Sequence, residues 1–340
     1  MAVLTVVSGL GMIVDDRTLV GSPIWFKPFK FSVSLMIYSL TLAWMLSLTT
    51  RGRRAGRWAG TVVAAAGAIE MVAITGQVIR GRRSHFNYAT GLDTALYNVM
   101  GATIITLWIS SMVIAFLLFR SRLADRPAAW AMRLGSVIAL AGAGLGYLMT
   151  RPTPRQRALD GASDIRGSHS VGVPEGGPSM PLTGWSTTGG DLRIPHFVGM
   201  HALQLIPLFL LALTALAPRV ARLRDERVRL RLVLVAAGLY AAVVALVTWQ
   251  ALRGQALVHP DAATLTAAGG VAVAGAAGLF AALRPNRPTD PNRPTDPDRL
   301  ADRAARGTRE GTAPDTDSPA DSTAPNTDST ADSAAKEHAP

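Results

Sequence analysis

The chain lacks cysteine altogether and carries few charged residues for its length. The absence of cysteine excludes disulfides, thiolate metal sites and cysteine nucleophiles. Charged residues make up 17% of the 340 positions, against about 25% in an ordinary soluble domain. The deficit is uneven, because the first 284 residues hold only twelve of the 23 carboxylates. This part of the chain therefore has the composition of a protein that is solvated largely by lipid.

Lysine is also scarce, since Lys27, Lys30 and Lys336 are the only lysines among 34 basic residues. The formal net charge is +11, but the arginines stand in short clusters between apolar segments, where they are typical of membrane topology signals. No RNA- or DNA-binding motif accompanies them. We therefore predict a lipid bilayer and no nucleic acid as partner. The arginine bias indicates a bacterial protein of the cytoplasmic (inner) membrane.

Long apolar stretches are abundant. About 20 largely apolar residues cross a hydrocarbon core of roughly 30 Å, and seven stretches meet that length. They lie at 31–50, 57–79, 95–119, 129–150, 196–217, 230–251 and 263–283. Residues 1–14 would reach only about 21 Å as a helix. They have no basic n-region and no A-x-A site, so we interpret them as a short or truncated first span rather than a signal peptide.

The predicted fold class is all-α, a polytopic transmembrane helix bundle of seven full spans plus a short N-terminal one. It occupies residues 1–284 and includes one long loop at 151–194. Residues 285–340 begin with a repeated PNRPTD and continue in Ser, Thr, Asp, Pro and Ala. Such a composition cannot bury enough apolar surface to offset the entropy of ordering. We therefore predict a disordered C-terminal tail.

The orientation of the bundle follows from arginine and lysine in alternate connections. The richer set holds the arginines at 51–57, 120–126 and 219–229, and the poorer set holds Lys27, Lys30, the arginines at 80–83 and Arg253. The richer side is predicted to be cytoplasmic, which places both termini in the cytoplasm and the long loop outside. The cluster at 80–83 opposes this assignment.

One carboxylate, Glu70, falls inside a predicted span. It lies about 13 Å from the outer end of its helix, by the rise of 1.5 Å per residue, and Gln77 follows on the same helix face. An ionisable group at that depth is costly and indicates a functional site by default. The alternative is a protonated Glu70 that only hydrogen-bonds a neighbouring helix.

Four histidines fall on the predicted outer side, namely His85, His169, His196 and His201. By helical rise, Gln204 matches Glu70 in depth, with His201 one turn above it. A pocket open to the outer side would collect Glu70, Gln204, Gln77 and His201, and would have His85 and His196 at its rim. We predict that the imidazoles of His85 and His201 lie within roughly 10 Å and share a ligand, a water or a metal. The alternative is a set of interfacial and capping histidines.

Three further candidates lie near the same membrane face. Lys27 belongs to the segment WFKPFKF at 25–31, an aromatic and basic belt that interfacial anchoring explains but that also favours a lipid-phosphate contact. Asp191 and Arg193 close the long loop. They are ligand-binding candidates, although a surface ion pair of little energetic weight is the simpler interpretation.

The stretches WFKPFKFSVSL, SHFNYATGLD and GWSTTGGDLRIPHFVGMHALQ resemble a family of uncharacterised bacterial polytopic membrane proteins over most of residues 15–250. That resemblance implies a multi-pass membrane protein and no known activity. More loosely, the chain resembles the ceramidase-type membrane hydrolases, which hold zinc near a Ser, a His and an Asp with a late His pair. This resemblance implies such roles for Ser84, His85, Asp93, His196 and His201. The late pair here is spaced H-x4-H where those hydrolases have H-x3-H.

Several functions remain open from the sequence. The first is an integral membrane protein with a His/Glu/Gln site for a small molecule or a metal. It would be a zinc hydrolase if three neutral imidazoles bind zinc and activate water, or an electron carrier if two bind haem b. The second is a transporter that carries a proton or cation on Glu70. The third is a structural or accessory membrane protein. Whether the protein is an enzyme is not decided.

Overall fold

The computed structural model describes residues 1–121, 123, 125–159 and 163–284. The predicted disordered tail at 285–340 lies outside the described residues. Within them the chain forms nine α-helices: α1 (Ala2–Val14), α2 (Phe26–Leu48), α3 (Arg53–Ile79), α4 (Gly91–Arg120), α5 (Arg126–Leu145), α6 (Pro154–Ala158), α7 (Arg193–Leu216), α8 (Glu226–Leu252) and α9 (Ala262–Leu283). Seven of the described helices are long and apolar enough to cross a membrane, and α1 is a shorter apolar helix. The prediction of an all-α polytopic bundle is confirmed.

Helix ends follow capping chemistry more closely than hydropathy. Thr90 caps α4 by accepting the backbone N–H of Asp93 at 3.1 Å, and Asp125 caps α5 by accepting that of Ala128 at 2.9 Å. Side-chain acceptors of this kind satisfy the free N–H groups of a first turn. Both helices therefore begin several residues before the apolar stretches that predicted them. The helix α5 ends early, because Gly146–Thr150 continues it as a 3₁₀-helix.

Alternation of the long helices gives the bundle two ends. We call the end that carries the connections 80–90 and 146–192 the loop face; α2, α4 and α7 begin there. Two short antiparallel pairs order the connections on this face. Thr18–Leu19 (β1) pairs with Ser22–Pro23 (β2), and Ser170–Val171 (β3) pairs with Gly190–Asp191 (β4). Which face is cytoplasmic stays a prediction.

Glycines bring α5 and α7 into backbone contact. A Cβ on Gly142 would lie 2.5 Å from the Cα and carbonyl carbon of Gly199, and one on Gly135 would lie 2.9 Å from the carbonyl oxygen of Ala202. Small residues permit such close approach between membrane helices. Ala131, Ala202 and Ile206 extend the contact into one buried cluster. The pair α5–α7 is therefore a rigid wall of the bundle.

We expect the substitution Gly142→Ala to lower the melting temperature of the detergent-solubilised protein. The new methyl group meets backbone rather than a side chain that can rotate away, and overpacking of this kind costs about 1–3 kcal/mol. Gly238 on α8 is the matched control, because a Cβ there meets nothing within 4 Å. Gly238→Ala should leave the melting temperature unchanged or raise it, since alanine is the better helix former. Equal effects of the two substitutions would contradict the close contact.

A buried polar cluster joins α3 to α4 at the loop face. Asp93 accepts hydrogen bonds from Gln77 Nε2 at 2.9 Å, Arg80 Nη1 at 2.7 Å and Thr90 Oγ1 at 2.8 Å. Arg80 also donates to Gln77 Oε1 at 2.6 Å. Arg80, one of the arginines that oppose the predicted orientation, therefore has an internal role in the fold.

Candidate functional site

A cavity of about 1300 Å³ runs from the loop face into the bundle. Helices α2, α4, α5 and α7 form most of its wall, Glu70 and Val78 on α3 contribute to it, and the connections at the loop face cover its end. Its depth is mainly apolar, with Leu42 and Met45 on α2 and Leu107 and Ala115 on α4 among the lining side chains. The volume exceeds the roughly 300–1,000 Å³ typical of pockets for drug-sized ligands.

The cavity is lined by exposed residues at two places on the bundle. Val20, on the β1–β2 turn, lines it and is exposed at the loop face. Ile104 and Ile105 on α4 and Tyr147 after α5 also line it and are exposed on the side of the bundle. One turn farther from the loop face, Trp108 Nε1 on α4 donates to the carbonyl of Leu140 on α5 at 3.0 Å. The wall of the cavity therefore includes exposed residues both at the loop face and where α4 packs beside α5.

Three ionisable side chains stand in sequence at the loop-face end of the cavity. Lys27 Nζ lies 3.0 Å from His85 Nδ1, and His85 Nε2 lies 3.7 Å from Glu70 Oε1. An ammonium only donates hydrogen bonds, so Nδ1 of His85 accepts and Nε2 carries the ring proton toward Glu70. The residues come from α2, from the 80–90 connection and from α3. We call Lys27, His85 and Glu70 the Lys–His–Glu series.

Glu70 is 1% exposed. Its Oε2 accepts from Thr103 Oγ1 on α4 at 3.2 Å, and its Oε1 has no hydrogen-bond partner among the described residues. A buried polar atom without a partner costs about 1–3 kcal/mol. Because Glu70 lines the cavity, this oxygen could accept a hydrogen bond from a ligand or from a proton relay.

Cationic side chains outnumber carboxylates around this end of the cavity. Its lining holds Lys27, Lys30, Arg82, Arg83 and Arg193. The carboxylates at this end are Glu70 and Glu175, which line the cavity, and Asp191, which does not line it but pairs with Arg193. Lys30 Nζ donates to the carbonyl of Thr183 at 3.0 Å and lies 4.0 Å from the ring centroid of Phe26. Among the described residues neither lysine forms an ion pair, so both charges are available to an anion.

The interpretation of Asp191 and Arg193 as a surface pair is wrong. Asp191 is 0% exposed, and Arg193 Nη2 donates to its Oδ2 at 2.6 Å. The carboxylate also accepts the backbone N–H of Ser186 at 2.9 Å, and Arg193 Nη2 donates to the carbonyl of Gly184 at 2.6 Å. The loop folds back over the pair and buries it, so the pair fixes the wall of the cavity.

His169 and Glu175 form a second acid–imidazole pair in the long loop. His169 Nδ1 lies 3.0 Å from Glu175 Oε1, which also accepts the His169 backbone N–H, and Arg83 Nη1 lies 3.7 Å from Oε2. Burial raises the pKa of Glu175, but the hydrogen bonds from His169 and the Arg83 charge lower it to about 2. Burial lowers the pKa of His169 below its ordinary value. Near neutral pH the pair is a neutral imidazole and a carboxylate.

Sequence reasoning did not place this pair in the site. His169 was noted only as an outer-side histidine, and Glu175 gave no signal within a Gly/Pro/Ser-rich segment. Arg83, another arginine that opposes the predicted orientation, is explained by its contact with Glu175.

The predicted site residues separate into two groups. Glu70, Gln204, Lys27, Arg193, His85, His196 and His201 all line the cavity. Gln77 and Asp191 do not belong to its lining: Gln77 turns to Asp93 on α4. Gln204 Nε2 lies 3.4 Å from Thr41 Oγ1 on α2, and its Oε1 is buried without a partner among the described residues.

The histidines do not form a metal-binding arrangement in the described part of the chain, where no group of three or more His, Cys, Asp or Glu side chains is placed to hold a metal ion. His196 Nδ1 lies 2.9 Å from the carbonyl of Gly142, and its ring packs where a Cβ on Gly146 would lie. His196 therefore joins α7 to α5. A zinc site of three histidines is therefore not formed among the described residues, while haem b and the hydrolase roles of Ser84, His85 and Asp93 stay predictions.

No family model, no curated protein and no solved structure matches the chain. What the fold and the cavity define is the class: a multi-pass helical membrane protein with one large amphipathic cavity.

Proposed function

We propose that the protein binds a membrane lipid with an anionic phosphate headgroup. The acyl chains lie in the apolar depth between α2, α4, α5 and α7, and the headgroup lies against Lys27 and Lys30. The observation that carries the proposal is the division of one 1300 Å³ cavity into a long apolar part and a short cationic end. The proposal assigns binding and no reaction.

The charged side chains at the loop-face end of the cavity favour an anionic headgroup. The loop-face end holds five cationic side chains against three carboxylates when Glu70 is ionised, and the two lysines lack ion-pair partners in the described chain. Lysine is a common phosphate ligand, where it acts as a point charge. A zwitterionic headgroup would add the positive charge of its own amine to a site where cationic side chains already outnumber carboxylates. Glu70 Oε1 remains free to accept a hydrogen bond from a hydroxyl of the headgroup.

Access favours a lipid over a water-soluble anion. The gap between α4 and α5 is bordered by exposed apolar side chains at Ile105 and Tyr147, which would face hydrocarbon in a bilayer. A lipid entering there keeps its chains in an apolar environment throughout. A soluble anion gains nothing from the apolar depth of the cavity.

The test compares two lipids with the same chains. The full-length protein in detergent is titrated with dioleoyl phosphatidylglycerol or with dioleoyl phosphatidylcholine, and bound lipid is counted by native mass spectrometry. The anionic lipid should bind more tightly. Each basic residue near a membrane surface contributes about 1 kcal/mol toward an anionic lipid, so Lys27→Gln combined with Lys30→Gln should weaken this preference roughly 10- to 30-fold.

Two further variants make the result specific. Arg53→Gln combined with Arg57→Gln removes the same charge from the opposite face, where Arg53 and Arg57 are exposed, and should keep the preference. Gly101→Phe fills the cavity, because a Cβ on Gly101 meets nothing within 4 Å, and should abolish tight binding of either lipid. If the Arg53/Arg57 variant lost the preference for the anionic lipid equally, the bound lipid would lie on the protein surface and not in the cavity. If glycerol phosphate, which has no acyl chains, bound as tightly as the anionic lipid, the acyl chains would not occupy the apolar part of the cavity.

We place the protein in a bacterial cytoplasmic membrane with the loop face outside, on the arginine distribution between alternate connections. The resemblance to uncharacterised bacterial polytopic membrane proteins is consistent with that placement and adds no activity to it. Fusions of a topology reporter at residue 175 and after residue 284 should report opposite sides of the membrane.

A second candidate function is a transporter that uses Glu70, which is favoured by the unpartnered oxygen of this buried carboxyl group.

A further inference from the structure

The Lys–His–Glu series connects the loop face with a carboxyl group deep in the bundle. Glu70 lies about 13 Å along α3 from its loop-face end by helical rise. From Lys27 at the start of α2, the steps are 3.0 Å to His85 Nδ1 and then 3.7 Å from Nε2 to Glu70 Oε1. The second step is longer than a hydrogen bond. Hydrogen bonds along which a proton is transferred are often this long in the resting state and shorten during the transfer.

The imidazole has the properties that a relay needs. Burial, with the charges of Lys27 and His169, lowers the pKa of His85 well below its usual value, so the ring is neutral near neutral pH. A neutral ring donates from one nitrogen while it accepts at the other. Ser84 Oγ lies 3.2 Å from the same Nδ1 and can accept its proton in the other tautomer. Both tautomers of His85 therefore have partners.

We propose that Glu70 exchanges a proton with the solvent on the loop face through His85 and Lys27. In the forward step the Nε2–H bond of His85 breaks and an O–H bond forms on Glu70 Oε1, while the Lys27 ammonium gives a proton to Nδ1. Lys27 is left as a neutral amine and takes a proton from water at the loop face. The net change is one proton moved from solvent to Glu70, with His85 neutral before and after in exchanged tautomers.

The surroundings of Glu70 make it the end of the path. The ionisable groups at this end of the cavity come from every element around it. They are Lys27 and Lys30 on α2, Tyr97 on α4, Arg82, Arg83 and His85 in the 80–90 connection, His169 and Glu175 in the long loop, and Arg193 on α7. Farther from the loop face, the ionisable side chain that lines the cavity in the described chain is Tyr38, which donates to Ser111 Oγ at 2.6 Å. Glu70 is therefore loaded from one face.

This inference goes beyond lipid binding and does not depend on it, because the exchange is measured without added lipid. Infrared spectroscopy separates the C=O band of a protonated carboxylic acid from the bands of a carboxylate. The full-length protein in detergent is titrated with acid and base, and the band that Glu70→Gln removes is assigned to Glu70. Its rate of appearance is then followed after a rapid drop in pH.

We expect His85→Gln and Lys27→Met each to slow the appearance of the Glu70 band at least about 100-fold, the low end of what a positioned proton donor contributes. His259→Gln is the control, since His259 is exposed and does not line the cavity, and its rate should equal that of the wild type. If His85→Gln fails to fold, Lys27→Met alone tests the path. Unchanged rates in the folded variants, or no band that depends on Glu70 across the titration, would overturn the proposal.

Discussion

Asp191→Asn is expected to lower the free energy of unfolding by about 3–5 kcal/mol, the range measured when one partner of a buried ion pair is removed. Asp191 is 0% exposed and the Arg193 side chain 24% exposed, so the guanidinium loses its counter-charge where water reaches it poorly. The carboxylate also accepts backbone N–H groups of Ser186 and Arg193. We expect a lower melting temperature and faster hydrogen exchange at 184–193.

The control for this prediction is an ion pair of the same chemistry in a solvated place. Arg253 and Asp261 form one with side chains 35% and 40% exposed. Asparagine is a good N-cap residue, so Asp261→Asn removes the charge and keeps the cap of α9. Exposed pairs contribute little, so this change should lower the melting temperature far less. If both substitutions lowered it equally, burial would not be the cause.

Asp93→Ala is expected to destabilise the protein by about 1–3 kcal/mol, because removing this acceptor leaves the buried amide of Gln77 without its partner. Arg80 loses its ion pair too, but its partial exposure limits that part of the cost. Unfolding in detergent, followed by circular dichroism, measures the change. Thr94→Ala is the neighbouring control, since Thr94 Oγ1 donates only to the Thr90 carbonyl one turn back. A comparable loss in Thr94→Ala would argue against the α3–α4 cluster.

Hydropathy was sufficient to predict the spans, because every backbone polar group in a hydrocarbon core must be satisfied within its own helix. It placed the helix starts less well. The helix α2 begins at Phe26 rather than near residue 31, since the segment with Lys27 and Lys30 continues the helix at the interface. At α4 and α5 the cap residues Thr90 and Asp125 decide the start, and hydropathy does not register them.

Depth in the membrane was predictable, and direction around the helix axis was not. Helical rise alone put Glu70 and Gln204 at similar depths, and both line the cavity. Gln77 shares a face with Glu70 by periodicity, yet it turns to Asp93, because α4 packs closely against that end of α3. The partner helix decides such a choice, and one sequence does not name the partner. Glu175 was missed for a related reason, since an irregular loop has no periodicity to read.

The contact of α5 with α7 through Gly142 and Gly199 has a mechanical consequence. Helices respond to a thicker or thinner bilayer by changing their tilt, and two helices in backbone contact must tilt together. The helix α4 is joined to α5 by the hydrogen bond from Trp108 to Leu140, and Ile105 on α4 lines the cavity. We therefore expect a change in bilayer thickness that tilts α5 and α7 together to change the spacing of α4 and α5 beside the cavity.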